Sequence, residues 1–235
     1  GISLRCVNSQ SLAFQLISKD KRSLMMYQPS FVSNWKVAKS DMQDIETLSN
    51  FLTAAGKKFQ THPSDIAQEI YPSLVSDLIP RQSPVFEAAP VDISLSSFLQ
   101  HGKSDLISLL LQCSDLLSWR EAGFGKLPEE FSKRIFACEI IGPKGIIGNP
   151  FMRVGLLLQL DHVAYPKHWH SAEELYLVLL GEAYWSVDDG SPELRSPENF
   201  VHHKSNQPHS MITIDEPLLA MWGWTGDIDG QSYSV

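Results

Sequence analysis

Among the 235 residues, the stretch Tyr165-Pro-Lys-His-Trp-His-Ser-Ala-Glu-Glu-Leu-Tyr-Leu-Val-Leu-Leu-Gly181 most narrows what this chain can fold into. Two histidines, two glutamates and a tyrosine crowd into a short window that runs directly into an apolar segment. His168 and His170 are spaced by two, and so are Glu174 and Tyr176. In extended backbone, side chains at i and i+2 point the same way. Each pair can therefore enter a common cavity, and imidazoles meeting a carboxylate there make a transition-metal site. Such a stretch needs strands on both sides of it and a cover over its apolar continuation.

The rest of the chain can supply both. Residues 25–130 read as helical. Ser40 is placed to cap a helix over 41–59, where Met42, Ile45, Leu48, Leu52 and Ala55 recur at helical spacing. Ser64 to Tyr71 reads as a second, short helix ended by Pro72. Pro80 to Pro90 reads as a connector. Ser104 caps a helix with Leu106, Ile107, Leu110, Leu111 and Leu117 on its apolar stripe.

Past Lys133 the texture changes to short β-branched or aromatic runs separated by turn residues. Strands are expected over 134–141, 153–160, 174–180, 183–187, 200–203, 209–214 and 218–224, with Asp188-Asp189-Gly190 as a hairpin turn. The expected fold is mainly β: a small antiparallel barrel or double-sheet roll spanning 131–235, with residues 1–130 as an N-terminal tail and α-helical region packed on it. The 174–180 strand is apolar on both faces beyond the site, and the helices are its expected cover.

Composition excludes several classes of function. A formal net charge of −8, a pI near 5.4 and no Lys/Arg cluster argue against a nucleic-acid or anionic-membrane surface. The apolar run from Leu106 to Leu117 is interrupted by polar residues and too short to span a bilayer. Cys6, Cys113 and Cys138 have neither the pairing nor the spacing of a disulfide framework or zinc ribbon, and fit a reducing, cytoplasmic compartment. The chain starts at Gly1 and its first methionines are Met25 and Met26, which leaves open whether residues 1–24 belong to the native product.

The metal site needs a further ligand from a distant strand, and His162, His202, His203 and His209 are the candidates. His209 is preferred, because it follows Pro208 at a strand start. The adjacent His202 and His203 face opposite sides, so at most one of them turns inward.

His168-x-His170-x3-Glu174-x6-Gly181 matches the first cupin motif, and Pro208-His209 resembles the core of the second, without its usual glycine and asparagine. The fuller string Tyr165-Pro166-x-His168-x-His170-x3-Glu174-x-Tyr176, with Trp222-Gly-Trp224-Thr-Gly-Asp227, resembles the dimethylsulfoniopropionate lyase family within the cupins. That resemblance implies a cupin barrel and a carbon–sulfur lyase acting by β-elimination to dimethyl sulfide and acrylate. It implies His170, Glu174 and His209 as ligands of a divalent metal, with His168 or Tyr176 completing the shell. Tyr165 and Tyr176 match the two tyrosines proposed as catalytic base. Mixed N/O ligands do not choose among Fe(II), Mn(II), Zn(II), Co(II) and Ni(II).

The substrate would be a small zwitterion with a carboxylate and a dimethylsulfonium. Aromatic faces suit a soft cation without donors, and Trp169, Tyr184, Trp185, Trp222 and Trp224 are the candidates for binding it. Barrels of this kind often pair through edge strands, so a homodimer is an expected assembly. The competing readings are another metal-dependent cupin enzyme, an oxygenase or isomerase on a small carboxylate, and a non-catalytic module that only binds a small ligand.

Overall fold

The computed structural model describes residues 39–76 and 95–235. The Pro80–Pro90 connector and residues 1–24 lie outside the described residues. In chain order the helices α1 (Lys39–Thr61), α2 (Asp65–Val75), α3 (Leu95–Leu99) and α4 (Asp105–Cys113) come first. There follow β1 (Trp119–Glu121), α5 (Glu129–Ser132), β2 (Ile135–Gly142), β3 (Ile147–Gly148), β4 (Arg153–Gln159), β5 (Ala164–His168) and β6 (Ala172–Leu180). The chain closes with β7 (Ala183–Val187), β8 (Glu193–Arg195), β9 (Phe200–His203), β10 (His209–Ile212) and β11 (Leu218–Gly226).

Two sheets result. The larger runs β1-β2-β4-β11-β6-β9, with β3 added in parallel to β2, and the smaller runs β5-β10-β7-β8; every other pairing is antiparallel. This is the expected mainly-β, cupin-type double-sheet architecture with N-terminal helices. The 188–190 turn forms as expected: Asp188 adopts φ +55 and the Gly190 N–H donates to the Val187 carbonyl at 3.0 Å.

Several local expectations change. α1 starts at Lys39, which puts Ser40 inside the helix and not ahead of it. α2 continues through Pro72 to Val75. An interior proline costs about 3 kcal/mol, but Ile66, Ile70 and Leu74 lie on one buried stripe, and burying Leu74 alone returns about 2 kcal/mol. α4 stops at Cys113, so Leu117 packs from beyond a following 3-10 turn and not from the helical stripe. Its Ser104 cap is as expected, with Oγ accepting from the Ile107 N–H at 3.2 Å. Trp119–Glu121, inside the region read as helical, is a strand on the edge of β2. Strands as short as β1, β3 and β8 carry too little periodicity to declare themselves and form because an edge is available.

α2 and α4 pack on β6, and α2 also packs on β11. Helices and sheets share one buried core that includes Phe51, Phe59, Ile70, Leu110, Leu175, Leu177 and Met221. Gly223, between Trp222 and Trp224, faces Ile70 of α2; a Cβ there would lie 2.3 Å from the isoleucine Cδ1. That close approach presses the helix layer onto one side of β11 and leaves both tryptophans on the other.

Gly181 ends β6 at φ +71, and a Cβ there would stand 1.9 Å from the Pro217 carbonyl oxygen. Gly181→Ala therefore combines left-handed backbone strain with a backbone clash. The expected loss is about 2–4 kcal/mol, or roughly 5–15 °C in Tm for a chain of this size. A thermal melt of the variant overlaying that of wild type would refute this.

Candidate metal centre

Register brings the site together. Along β6, Glu174 pairs with His203 of β9 on one side and Trp224 of β11 on the other, and Tyr176 pairs with Val201 and Trp222. In the smaller sheet His209 of β10 pairs with His168 of β5. Cross-strand partners share a face, so the two sheets present these rows to a common interior. His168, His170, Glu174, His203 and His209 are all buried, none more than 2% exposed.

Glu174 is the hub. Its Oε2 lies 3.2 Å from His170 Nε2, 3.3 Å from His203 Nδ1 and 3.3 Å from His209 Nε2. Its Oε1 accepts the Trp224 indole N–H at 2.6 Å. Ligand atoms of His170, Glu174 and His209 lie within 4.8 Å of one another, so the trio could hold a metal ion.

A physical test supports that fit. His170 Nδ1 sits 3.0 Å from the Ala172 carbonyl, and His209 Nδ1 2.8 Å from the Gln207 carbonyl. Carbonyls only accept, so each Nδ1 carries a proton, and a ring with that one proton turns an Nε2 lone pair toward the carboxylate. Acceptors then face acceptors, which a proton or a cation must bridge. The Nε2 atoms of His203 and His209 are buried without a hydrogen-bond partner. Backbone-anchored Nδ1 atoms are the usual device for orienting metal-binding imidazoles. His168 is anchored in the same way, its Nδ1 2.8 Å from the Pro166 carbonyl.

Burial alone would raise the Glu174 carboxyl, but once a proton bridges that gap the charge of His170 and the close approach of the His170, His203 and His209 rings hold it well below the ordinary range. Burial, aided by His209, pushes His168 well down and His203 down to about 4. Tyr165 and Tyr176 are both pushed up by burial and the nearby Glu174 charge. The two tyrosines differ in what opposes the rise. At Tyr165 a hydrogen bond from Tyr233 and the Arg120 charge act downward, whereas at Tyr176 the next largest influences, Glu174 and Tyr165, only add to it.

The expected site residues separate into groups. His170, Glu174 and His209 converge. His168 lies beside the trio, stacked on Tyr165 at 4.2 Å and edge-on to His209 at 4.1 Å. Tyr165, Tyr176, Trp222 and Trp224 line a void of about 30 Å³ with the trio's His170 and Glu174. Trp185 packs behind Tyr176 at 4.9 Å and does not line the void. Trp169 and Tyr184 are not brought to the site: they are 38% and 40% exposed. Their neighbours His168, His170, Ala183 and Trp185 take the inward positions, so strand alternation turns Trp169 and Tyr184 out. Glu173 also points away, to His202 Nε2 at 2.6 Å.

Sequence reasoning missed two contributors and underrated a third. Tyr233 is buried against the site with its hydroxyl 3.0 Å from that of Tyr165. Phe124 stacks on Trp224 at 5.6 Å. His203, weighed and set below His209, reaches Glu174 as well. The β6–β9 register would have revealed His203. Tyr233 and Phe124 sit in irregular segments where no periodicity points to a face.

A family model for dimethylsulfoniopropionate lyase matches residues 64–220. The chain is 34% identical over 113 residues to dimethylsulfoniopropionate lyase DddQ of Ruegeria pomeroyi, covering 47% of this chain and 56% of that protein. It is 29% identical over 146 residues to putative dimethylsulfoniopropionate lyase DddL of Cereibacter sphaeroides, covering 60% of this chain and 61% of that protein. The chain thus spans little more than half the length of the curated relatives it matches. The crystal structure of DMSP lyase DddQ from Ruegeria pomeroyi superposes with a TM-score of 0.61 at 22% identity, covering 81% of this chain and 96% of that one, a likeness of fold. Among the described residues no helix is long and apolar enough to cross a membrane. With the family model covering two-thirds of its length and the motif residues gathered around Glu174, the chain belongs to the dimethylsulfoniopropionate lyase family.

Proposed function

We propose that this chain cleaves dimethylsulfoniopropionate by β-elimination to dimethyl sulfide and acrylate, with a divalent metal held by His170, Glu174 and His209 and with Tyr165 as the base. The observation that carries this reading is the convergence of histidine nitrogens on Glu174 Oε2 beside a buried tyrosine pair. Family membership supports the substrate.

The reaction removes a proton from the carbon next to a carboxylate, which piles negative charge onto an anion. A divalent cation at the trio would offset that charge as a Lewis acid on the substrate carboxylate, a contribution of several kcal/mol. The base must outmatch a neutral histidine, and tyrosinate does, with an unperturbed pKa of about 10. Tyr165 is the better placed of the two candidates. When its oxygen carries the charge, the Tyr233 hydroxyl 3.0 Å away donates to it, and the Arg120 charge favours it. Tyr176 instead sits against the Glu174 carboxylate, which disfavours its anion. His168, stacked flat on the Tyr165 ring, fixes where that ring stands. Trp222 and Trp224 offer aromatic faces to the sulfonium, at about 0.5–2 kcal/mol per contact.

The direct measurement is headspace gas chromatography of metal-loaded protein with the substrate. Dimethyl sulfide should appear, and should fall to background in a metal-stripped control. No dimethyl sulfide with any of Fe(II), Mn(II), Zn(II), Co(II) or Ni(II) would sink the reading.

A further inference from the structure

The void beside Glu174 holds about 30 Å³, room for a water molecule and far short of the proposed substrate. Against it lies a second cavity of about 550 Å³. The two share the walls Arg120 and Phe124, so the side chains between the inner site and the larger space are identified.

The larger cavity has a marked charge. Arg120, Lys126, Lys144 and Arg153 line it against Glu121 and Asp229, in a chain whose net charge is −8. Arg153 is neutralised by Glu139 at 2.6 Å. Lys126 donates to the backbone carbonyls of Gln231 and Tyr233, both at 2.6 Å. These acceptors are neutral, so its positive charge stays with the cavity. The partition carries charge too: the guanidinium groups of Arg120 and Arg153 stand 5.0 Å and 5.6 Å from the Phe124 ring centre. Cations clustered there repel a sulfonium and attract a carboxylate.

Phe124 is also held in an uncommon backbone state. It has φ +54 and ψ +32, between Gly123 at φ +73 and Gly125 at φ +77. A non-glycine residue in the left-handed region is infrequent and marks a spot held by its surroundings. Its ring is held by Trp224 and by Gly230, where a Cβ would come within 2.4 Å of it.

We propose that the 550 Å³ cavity is a binding site for a small monocarboxylate, an antechamber in which Arg120 and Lys144 take up the carboxylate end of the ligand before Phe124 yields and admits it to the inner site. The assignment of the ligand rests on the lyase reading, since substrate and acrylate both carry one carboxylate. Its direction is consistent with that reading: the carboxylate leads inward past Arg120 and the sulfonium trails.

The test uses the full chain stripped of metal, titrated calorimetrically with propionate, an unreactive probe. Saturable binding is expected, weakened at least fivefold in Arg120→Met and in Lys144→Met, the latter an exposed loop position where folding is not at risk. In the metal-loaded protein Lys144→Met, a position remote from the Tyr165 base, should raise KM at least fivefold while kcat changes less than twofold. Propionate affinity unchanged in both variants would overturn the proposal, and inorganic phosphate competing as well as propionate would overturn the carboxylate assignment. The two readings fail separately. Propionate binding that depends on Arg120 and Lys144, without dimethyl sulfide release, defeats only the lyase activity. Dimethyl sulfide release with a KM indifferent to Lys144→Met defeats only the antechamber.

Discussion

Glu174→Gln is expected to lower dimethyl sulfide release by about 10³–10⁴-fold, the loss of a several-kcal/mol Lewis acid, and to yield a protein that no longer retains metal after dialysis. The folded protein should survive. The glutamine keeps a carbonyl oxygen for the Trp224 N–H, which Glu174 Oε1 accepts at 2.6 Å. Its amide nitrogen would stand where Oε2 now meets His170 and His209 at 3.2 Å and 3.3 Å. An amide N–H donates to the Nε2 lone pairs that the carboxylate opposes, so the clash of acceptors disappears without a cation. The metal-free variant should melt at or above the metal-free wild type. Elemental analysis, the headspace assay and a thermal melt on one preparation check all three statements. Stoichiometric metal in the variant would show that Glu174 is not a ligand.

Tyr165→Phe is expected to reduce kcat by about 10³-fold, within the 10²–10⁴ span of a positioned general base, while metal content stays at the wild-type level. Tyr176→Phe should cost about tenfold. The ordering follows from the neighbours of the two hydroxyls. Tyr165 has a hydroxyl donor and a guanidinium charge in its favour, and Tyr176 has a carboxylate against it. Tyr233→Phe keeps a ring beside His168 and removes the donor to Tyr165. It should lower kcat about tenfold and move the rising limb of its pH profile to higher pH, because the tyrosinate loses a stabilising hydrogen bond and its pKa goes up. A Tyr176→Phe variant that is inactive beside an active Tyr165→Phe would reverse the assignment.

Much of this could be read in the residues. Most strands longer than three residues declared themselves by alternation and bounding turns, β5 (Ala164–His168) being the exception, and the Ser104 cap by the hydroxyl it offers to an N–H three residues on. The motif pairs were legible because parity in a strand is local: His168 and His170, or Glu174 and Tyr176, share a side whatever the sheet does. Parity alone could not say which tryptophans belong to the interior. Trp169 is one residue from two inward histidines and for that reason faces out. Trp222 and Trp224 face in because Gly223 is taken up by Ile70 of the helix layer.

What the sequence determined by itself was the set of donor atoms and the fold that could gather them, since residue type and two-residue spacing act over a single strand. What only the tertiary structure decided was company. The β6–β9 and β5–β10 registers put His203 and His209 on the same carboxylate. The chain's last turn brings the Tyr233 hydroxyl to Tyr165 across 68 residues of sequence. A glycine-flanked phenylalanine becomes the wall between two cavities. Those contacts join segments with no shared periodicity, and packing alone selects them.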